Sequence, residues 1–149
     1  MDPIAVIGAV STVLGLVDKF TTIVGKLRSP TDKPPSVLAA QEGSNLVIRT
    51  NGQVVETITP TQVQAHLGSF DEARFEALKK RVTSLWNQFN GLYAQLPNLS
   101  VDEQVRIREK MEQMRQELCQ DFREMMDISQ KVLGVPLNDH YTLYRTCAS

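Results

Sequence analysis

Residues that commonly carry chemistry are few and scattered in this 149-residue chain. The histidines, His66 and His140, make no metal-ligand spacing with Cys119, Cys147 or Asp139, since tetrahedral sites need three or four converging ligands. No Gly-Lys-Ser/Thr follows the N-terminal glycines and no nucleophile elbow is present, so the local signatures of nucleotide binding and acyl transfer are missing. We therefore expect no catalytic residue, cofactor or metal, although a site assembled in space from distant residues would leave no such mark.

The two cysteines, Cys119 and Cys147, lie far apart, one in a charged stretch and one near the C-terminus. This spacing is typical of neither a CxxC redox pair nor a zinc knuckle. We expect two free thiols, which favours a reducing cytoplasm. Asp2 and Pro3 stand where a secretory signal would need positive residues, so we expect the N-terminus to be retained.

The charges are balanced, with 16 Lys+Arg against 17 Asp+Glu and a pI of about 6.1. The chain lacks the basic stripe that neutralises phosphates, which argues against nucleic-acid binding. Between residues 102 and 127 acidic and basic side chains interleave at helical spacing, as on a solvated, ion-paired face. The cluster Lys79, Lys80 and Arg81 fits either an exposed helix face or contact with anionic headgroups or a partner's acids.

The N-terminal run at residues 3–17 carries no charge. From Val6 onwards its apolar residues recur in steps of four and three, which predicts a helix over about 3–27. Asp2 is the expected N-cap, with Pro3 at the first helical position. Valine and glycine are weak helix formers, so a β-strand at the start of this run is the alternative. The uncharged run is about 21 Å long, too short for a stable single span of a hydrocarbon core about 30 Å thick.

This run is apolar or small on every side, which indicates either complete burial or contact with lipid. Small residues four apart let helices approach closely, particularly in lipid. The residues expected to enter a membrane are Ile4, Val6, Ile7, Val10, Val13, Leu14, Leu16 and Val17. The residues expected to join helices of several copies are Ala5, Gly8, Ala9, Ser11, Thr12 and Gly15. The cations expected at headgroups or a partner are Lys19, Lys26, Arg28, Lys79, Lys80 and Arg81.

A proline-rich linker is predicted at about 28–36, where three prolines interrupt any periodicity. After it, two strand-like runs flank Asn51-Gly52, a pair that favours the positive φ angles of a type I′ turn. This pattern predicts a β-hairpin at about 45–59. A short helix beginning at Thr59-Pro60 should follow it.

A long antiparallel helical hairpin is predicted at about 70–133, because apolar residues recur there at spacings of three and four. Ser69 with Glu72, and Ser100 with Glu103, are the expected capping boxes of its two helices. The predicted fold class is therefore mainly α, a helical bundle with one β-hairpin in a single domain over 1–149.

The opening sequence MDPIAVIGAV, with LGLV at 14–17, resembles the HeLo and HeLo-like (Bell-type) domains, helical-bundle cell-death domains of fungal and bacterial immune receptors. The resemblance covers residues 1–25. It implies a bundle whose hydrophobic N-terminal helix leaves on oligomerisation and permeabilises a membrane. Carried over by position, it marks only Ile4 to Val17 as membrane-active.

These observations predict a non-enzymatic membrane-perturbing effector, pore-forming or permeabilising, or a self-assembling cell-death and defence signalling module. The expected partners are further copies of the chain, membrane lipid and a regulatory protein, and the expected location is the cytoplasm, with movement to the inner face of the plasma membrane on activation. The alternative is a soluble protein–protein interaction adaptor in which the N-terminal helix stays buried and the helical hairpin binds a partner.

Overall fold

The computed structural model describes residues 1–28, 36–141 and 147, and over these it is mainly helical with one small sheet. It confirms the predicted fold class, with an N-terminal helix, a β-hairpin and a long helical hairpin. The predicted proline-rich linker at 28–36 lies outside the described residues over 29–35. The helices are α1 (Pro3–Arg28), α2 (Pro60–His66), α3 (Glu72–Gln95) and α4 (Val101–Leu133). The strands are β1 (Val37–Glu42), β2 (Asn45–Thr50) and β3 (Gln53–Ile58), and short 3-10 turns lie at Leu67–Ser69 and Leu96–Asn98.

Helix α1 begins at the predicted cap. The backbone N–H of Ile4 donates to the Asp2 carboxylate over 3.1 Å, and Pro3 occupies the first helical position, where no N–H is needed. The helix continues unbroken to Arg28 although valine and glycine favour helix weakly. Packing against the rest of the fold therefore stabilises it more than intrinsic propensity does.

The sheet contains the predicted hairpin and one strand that the sequence pattern did not reveal. Asn51 and Gly52 join β2 to β3 with φ angles of 52° and 83°, as a type I′ turn requires. Strand β1 pairs antiparallel with β2, so the order is β1-β2-β3. Its sequence, VLAAQE, is rich in residues with little preference for strands, and pairing with β2 and packing against α1 make it a strand.

Helices α3 and α4 pack against each other as the predicted hairpin. Ser100 caps α4 as expected, since its hydroxyl accepts the Glu103 N–H at 3.3 Å. The expectation that Ser69 caps α3 is wrong. Ser69 ends a 3-10 turn, and the Asp71 carboxylate accepts a first-turn N–H of α3 at 3.2 Å. Gly134 ends α4 with a left-handed φ of 73°.

The core joins all of these elements. Helix α1 packs chiefly against β1 and α2, with fewer contacts to α3 and α4. Phe20 is its aromatic anchor on the helical hairpin, with ring centroids 6.5 Å from Trp86, 5.5 Å from Phe89 and 5.7 Å from Phe122. The N-terminal helix is thus held by a sheet on one side and by one aromatic cluster on the other.

The expectation of two free thiols is wrong, because Cys119 and Cys147 form a disulfide bond. After α4 the chain turns back, burying Leu137 and Tyr141, and Cys147 reaches the middle of α4 with a Cα–Cα distance of 5.6 Å. The separation of 28 residues between the two cysteines gave no sign that they pair. The cytoplasmic location loses the support of free thiols and stays a prediction.

Candidate functional site: the N-terminal helix

Helix α1 has a buried apolar face that forms part of the core. Most of the residues expected to enter a membrane lie on it, and Ile4 and Leu16 are the exceptions, with Ile4 41% exposed and Leu16 half-buried. The buried members of the predicted set are Val6, Ile7, Val10, Val13, Leu14 and Val17. In this conformation six of the eight residues expected to enter a membrane are therefore packed inside the protein.

The outer face of α1 carries the small residues expected to join copies of the chain. Ala5 and Thr12 are exposed, and the Thr12 hydroxyl donates to the carbonyl of Gly8 over 3.0 Å. Half-exposed positions on and beside this face are Gly8, Ala9, Ser11 and Gly15. A surface helix normally presents charged side chains to solvent, whereas this face has none before Asp18.

Gly8 and Gly15 differ in what covers them. A Cβ added to Gly8 would lie 3.1 Å from Oε1 of Gln41 in β1, so the end of the Gln41 side chain covers the helix at this point. A Cβ added to Gly15 would meet nothing within 4 Å. The middle of the outer face is therefore open, and its N-terminal part is bordered by the sheet.

Asp18 is the first charged residue within α1 and lies where three parts of the fold meet. Burial raises the pKa of the Asp18 carboxyl, and a hydrogen bond from the backbone of Val37 partly offsets this effect. The Tyr141 hydroxyl is buried without a hydrogen-bond partner among the described residues. Burial, and secondarily the charge of Asp18, raises the pKa of Tyr141. Undocking α1 would hydrate Asp18 and separate it from β1 and the C-terminal segment.

The C-terminal half of α1 borders a cleft of about 140 Å³ against α3 and α4. Val24 and Leu27 line it from α1, and Phe89, Met111 and Arg115 line it from the helical hairpin. At this cleft the C-terminal half of α1 is therefore less closely packed against the helical hairpin than it is at Phe20.

The basic residues do not form one free patch. Lys19 and Lys26 are exposed on α1, and the side chain of Arg28 lies outside the described residues. Lys79 is half-buried and Lys80 exposed, whereas Nε of Arg81 lies 2.8 Å from a carboxylate oxygen of Asp121. Arg81 therefore pairs across the helical hairpin with a buried acid, and contact of these cations with headgroups or a partner stays a prediction.

Sequence reasoning missed two features that bear on α1. The first is the hydrogen bond that the Asp18 carboxyl accepts from the backbone of Val37. Its one sequence signal was the position of an acid directly after an uncharged run, because a charge beside an apolar segment usually has a structural or functional partner. The disulfide beside Arg115 had no local signal. Among residues 1–28, 36–141 and 147, no three His, Cys, Asp or Glu side chains lie close enough together to hold a metal ion.

The uncharged run at 3–17 is shorter than a membrane span, but the whole helix from Pro3 to Leu27, which includes Asp18 and Lys19, is by length and composition long and apolar enough to cross a membrane, with a mean hydropathy of 1.6 in its most apolar stretch. A buried core helix of a soluble protein has the same properties, and 39% of that stretch is buried here. Comparison of the chain with protein-family models, with curated proteins and with solved structures finds no match.

Proposed function

We propose that this protein is a non-enzymatic membrane-perturbing effector, or a self-assembling signalling module, that acts by releasing α1 from the fold. The observation that carries the proposal is the absence of charge on either face of α1 from Pro3 to Val17. A helix that served only as part of a soluble core would need its inner face apolar and would gain solubility from a charged outer face.

The energetics of release favour a lipid destination. Leaving the core would return apolar side chains to water, at roughly 1.5–3 kcal/mol for each large one. Entering a bilayer removes the same side chains from water again, so insertion offsets most of this cost. The outer face adds no charge to the transfer before Asp18, and Lys19 and Lys26 can stay at the headgroups.

The small residues of the outer face support self-association in the membrane. Gly8, Thr12 and Gly15 allow close approach of helices, and packing of this kind is the main attraction between helices surrounded by lipid. Further copies of the chain and membrane lipid are thus the proposed partners, with a regulatory protein as the proposed control. The resemblance of residues 1–25 to HeLo-like domains supports the same proposal, including a role in cell death or immune defence at the inner face of the plasma membrane.

A pair of matched variants tests the proposal without disturbing the core. Thr12 and Thr83 are both exposed threonines inside long helices, one in α1 and one in α3. We expect Thr12→Lys to fold normally and to lower dye leakage from liposomes on the order of 100-fold, because a lysine at the centre of an inserted helix costs about 2.5–3.5 kcal/mol. Thr83→Lys should leak like the unaltered chain.

Leakage is measured with neutral and with anionic vesicles, after thermal unfolding has shown that both variants are folded. Equal leakage from the two lysine variants would contradict a membrane role for α1. A folded, concentrated chain that releases no dye from either vesicle would overturn spontaneous membrane action.

The second candidate function is a soluble adaptor in which α1 stays docked. It is favoured by the near-complete burial of Val6, Val10 and Val17, which makes α1 part of the core and not a loosely attached arm. In that case Thr12→Lys, which lies outside the helical hairpin, leaves binding of the protein partner unchanged, and neither lysine variant acts on vesicles.

A further inference from the structure

A groove runs along the C-terminal half of α1, where this helix meets the helical hairpin. It consists of the cleft of about 140 Å³ that Val24 borders and of a second cleft of about 340 Å³ at the turn between α3 and α4. Leu27 of α1 and Arg108 of α4 line both clefts, so the two clefts adjoin at these side chains. Together they reach the size of pockets that hold small molecules, about 300–1,000 Å³. We call the two clefts together the α1 groove.

The walls of the α1 groove are mainly apolar. The apolar residues that form them include Val24, Leu27, Phe89 and Met111 in the first cleft, and Tyr93 and Leu96 in the second. Along α4 the lining residues run from Gln104 to Arg115, a distance of about 16 Å at the rise of an α-helix. The groove is therefore long enough for an extended acyl chain of medium length.

The charged residues that line the α1 groove carry an excess of positive charge. Among the described lining residues they are Lys26, Arg108 and Arg115, with Glu112 as the acid. Glu112 is already paired, because its carboxylate accepts Nη2 and Nε of Arg115 at 2.6 and 2.9 Å. Within residues 1–28, 36–141 and 147, neither Lys26 nor Arg108 has an ion-pair partner. A bound anion would therefore meet two cations that no acid of the described fold offsets.

Gln104 closes the groove at the turn and takes no part in binding the anion. Its side-chain amide donates to the carbonyls of Leu96 and Leu99 at 2.9 and 3.2 Å, so both of its N–H groups are already used. The cationic end of the groove thus consists of Lys26 from α1 and Arg108 from α4, and the apolar end lies between Val24 and the helical hairpin.

We propose that the α1 groove binds a medium-chain fatty acid as its carboxylate. Lys26 and Arg108 line the second cleft from two different helices and hold the carboxylate there, since a guanidinium can donate two parallel hydrogen bonds to it. The acyl chain lies in the first cleft on Val24, Phe89 and Met111. A peptide helix is about 10 Å across, too wide for a cleft of about 140 Å³, whereas a single acyl chain fits it.

This site goes beyond the proposed function, because it exists only while α1 is docked. A carboxylate held by Lys26 and Arg108 joins α1 to α4, and a ligand that binds one conformation alone stabilises that conformation. The fatty acid therefore opposes release of α1. Binding is measured in solution without vesicles, so failure of the site and failure of membrane action are separate results.

Three probe ligands separate the acyl chain from the charge. Octanoate, hexanoate and octanol are titrated into the full chain by calorimetry, below the concentrations at which micelles form. We expect the affinity to rise roughly fourfold for each methylene from hexanoate to octanoate, and octanol to bind at least about tenfold more weakly than octanoate. Equal affinities of hexanoate and octanoate would show an adventitious ion only, and equal affinities of octanol and octanoate would overturn the role of the cations.

A matched pair of arginine variants places the carboxylate. Arg108 and Arg106 are both exposed on α4, and Arg106 lines neither cleft. Arg108→Gln should weaken octanoate binding on the order of tenfold, and Arg106→Gln should bind octanoate like the unaltered chain. Thermal unfolding shows that both variants are folded. Equal affinity of the two folded variants for octanoate would overturn the site.

Sedimentation tests whether a second copy of the chain occupies the groove instead. We expect Arg108→Gln to leave the sedimenting mass of the chain unchanged. A dimer that dissociates in Arg108→Gln, in a chain that takes up no octanoate, would assign the α1 groove to a second copy and overturn the fatty-acid site.

Discussion

Replacing Phe20 with alanine is the most direct test of how α1 is held. Phe20 is fully buried, and its ring contacts Trp86 and Phe89 of α3 and Phe122 of α4. It is the aromatic link between α1 and the helical hairpin. Removal of a buried phenylalanine side chain costs about 3–5 kcal/mol, because transfer energy is lost and a cavity remains.

The effect of the substitution depends on whether the lost energy weakens the docking of α1 alone or the stability of the whole fold. If α1 undocks while the remainder stays folded, a loss of 3–5 kcal/mol raises the undocked population by roughly two to three and a half orders of magnitude. Hydrogen exchange in α1 should then accelerate by a similar factor relative to the α3 amides, and leakage from vesicles should increase. Phe20→Leu, which keeps most of the volume, should show the same pattern to a smaller extent.

Phe75→Ala is the matched control, since Phe75 is also fully buried but pairs with Phe70 and lies in α3. It should lower global stability by a comparable amount without a selective effect on α1. If Phe20→Ala accelerates exchange in α1 and α3 equally, α1 is an inseparable part of the core. That result would refute release of α1 and favour the adaptor function.

Three further changes test other parts of the structure. Gly134→Ala places an L-residue at a φ of 73° and should lower the free energy of unfolding in urea by about 1–2 kcal/mol; an unchanged midpoint would contradict the assigned end of α4. Burial raises the pKa of the Asp18 carboxyl, so the native state of the unaltered chain binds this proton more tightly than its unfolded state does. The free energy of unfolding of the unaltered chain therefore falls as the pH rises through that pKa, and Asp18→Asn removes this loss. The variant should therefore unfold at a higher temperature than the unaltered chain at neutral pH, and the difference should close as pH falls toward 3.8; a constant difference would argue against a buried charge. Arg81→Ala leaves the buried Asp121 without its ion-pair partner and should cost about 1–2 kcal/mol in chemical denaturation, whereas Lys80→Ala should cost less than about 0.5; equal losses would contradict the pairing.

The sequence predicted the elements whose signals are local. The extent of α1 follows from the Asp2 cap and the spacing of its apolar residues, and the turn at Asn51-Gly52 follows from the positive φ angles that these residues tolerate. The end of α4 at Gly134 has the same kind of cause. In each case the residues that decide the structure are neighbours in the chain.

Contacts between distant residues decided the remainder. Strand β1 exists because β2 and α1 flank it, and its own residues favour a strand only weakly. The disulfide depends on the return of the chain after α4, which brings Cys147 to Cys119. Arg81, grouped by sequence with two lysines, pairs instead with Asp121 of the facing helix.

For the candidate site, the sequence by itself determined that the run at 3–17 carries no charge and that large apolar and small residues hold known positions in it. Periodicity could not decide which side of such a helix is buried, because a helix that is apolar or small all round has no polar face to mark the outside. Only the tertiary structure placed Val6, Val10 and Val13 in the core, Thr12 on the surface, and Asp18 beside Val37 and Tyr141. Which residues of α1 are buried depends on the elements that pack against it, and those elements come from distant parts of the sequence.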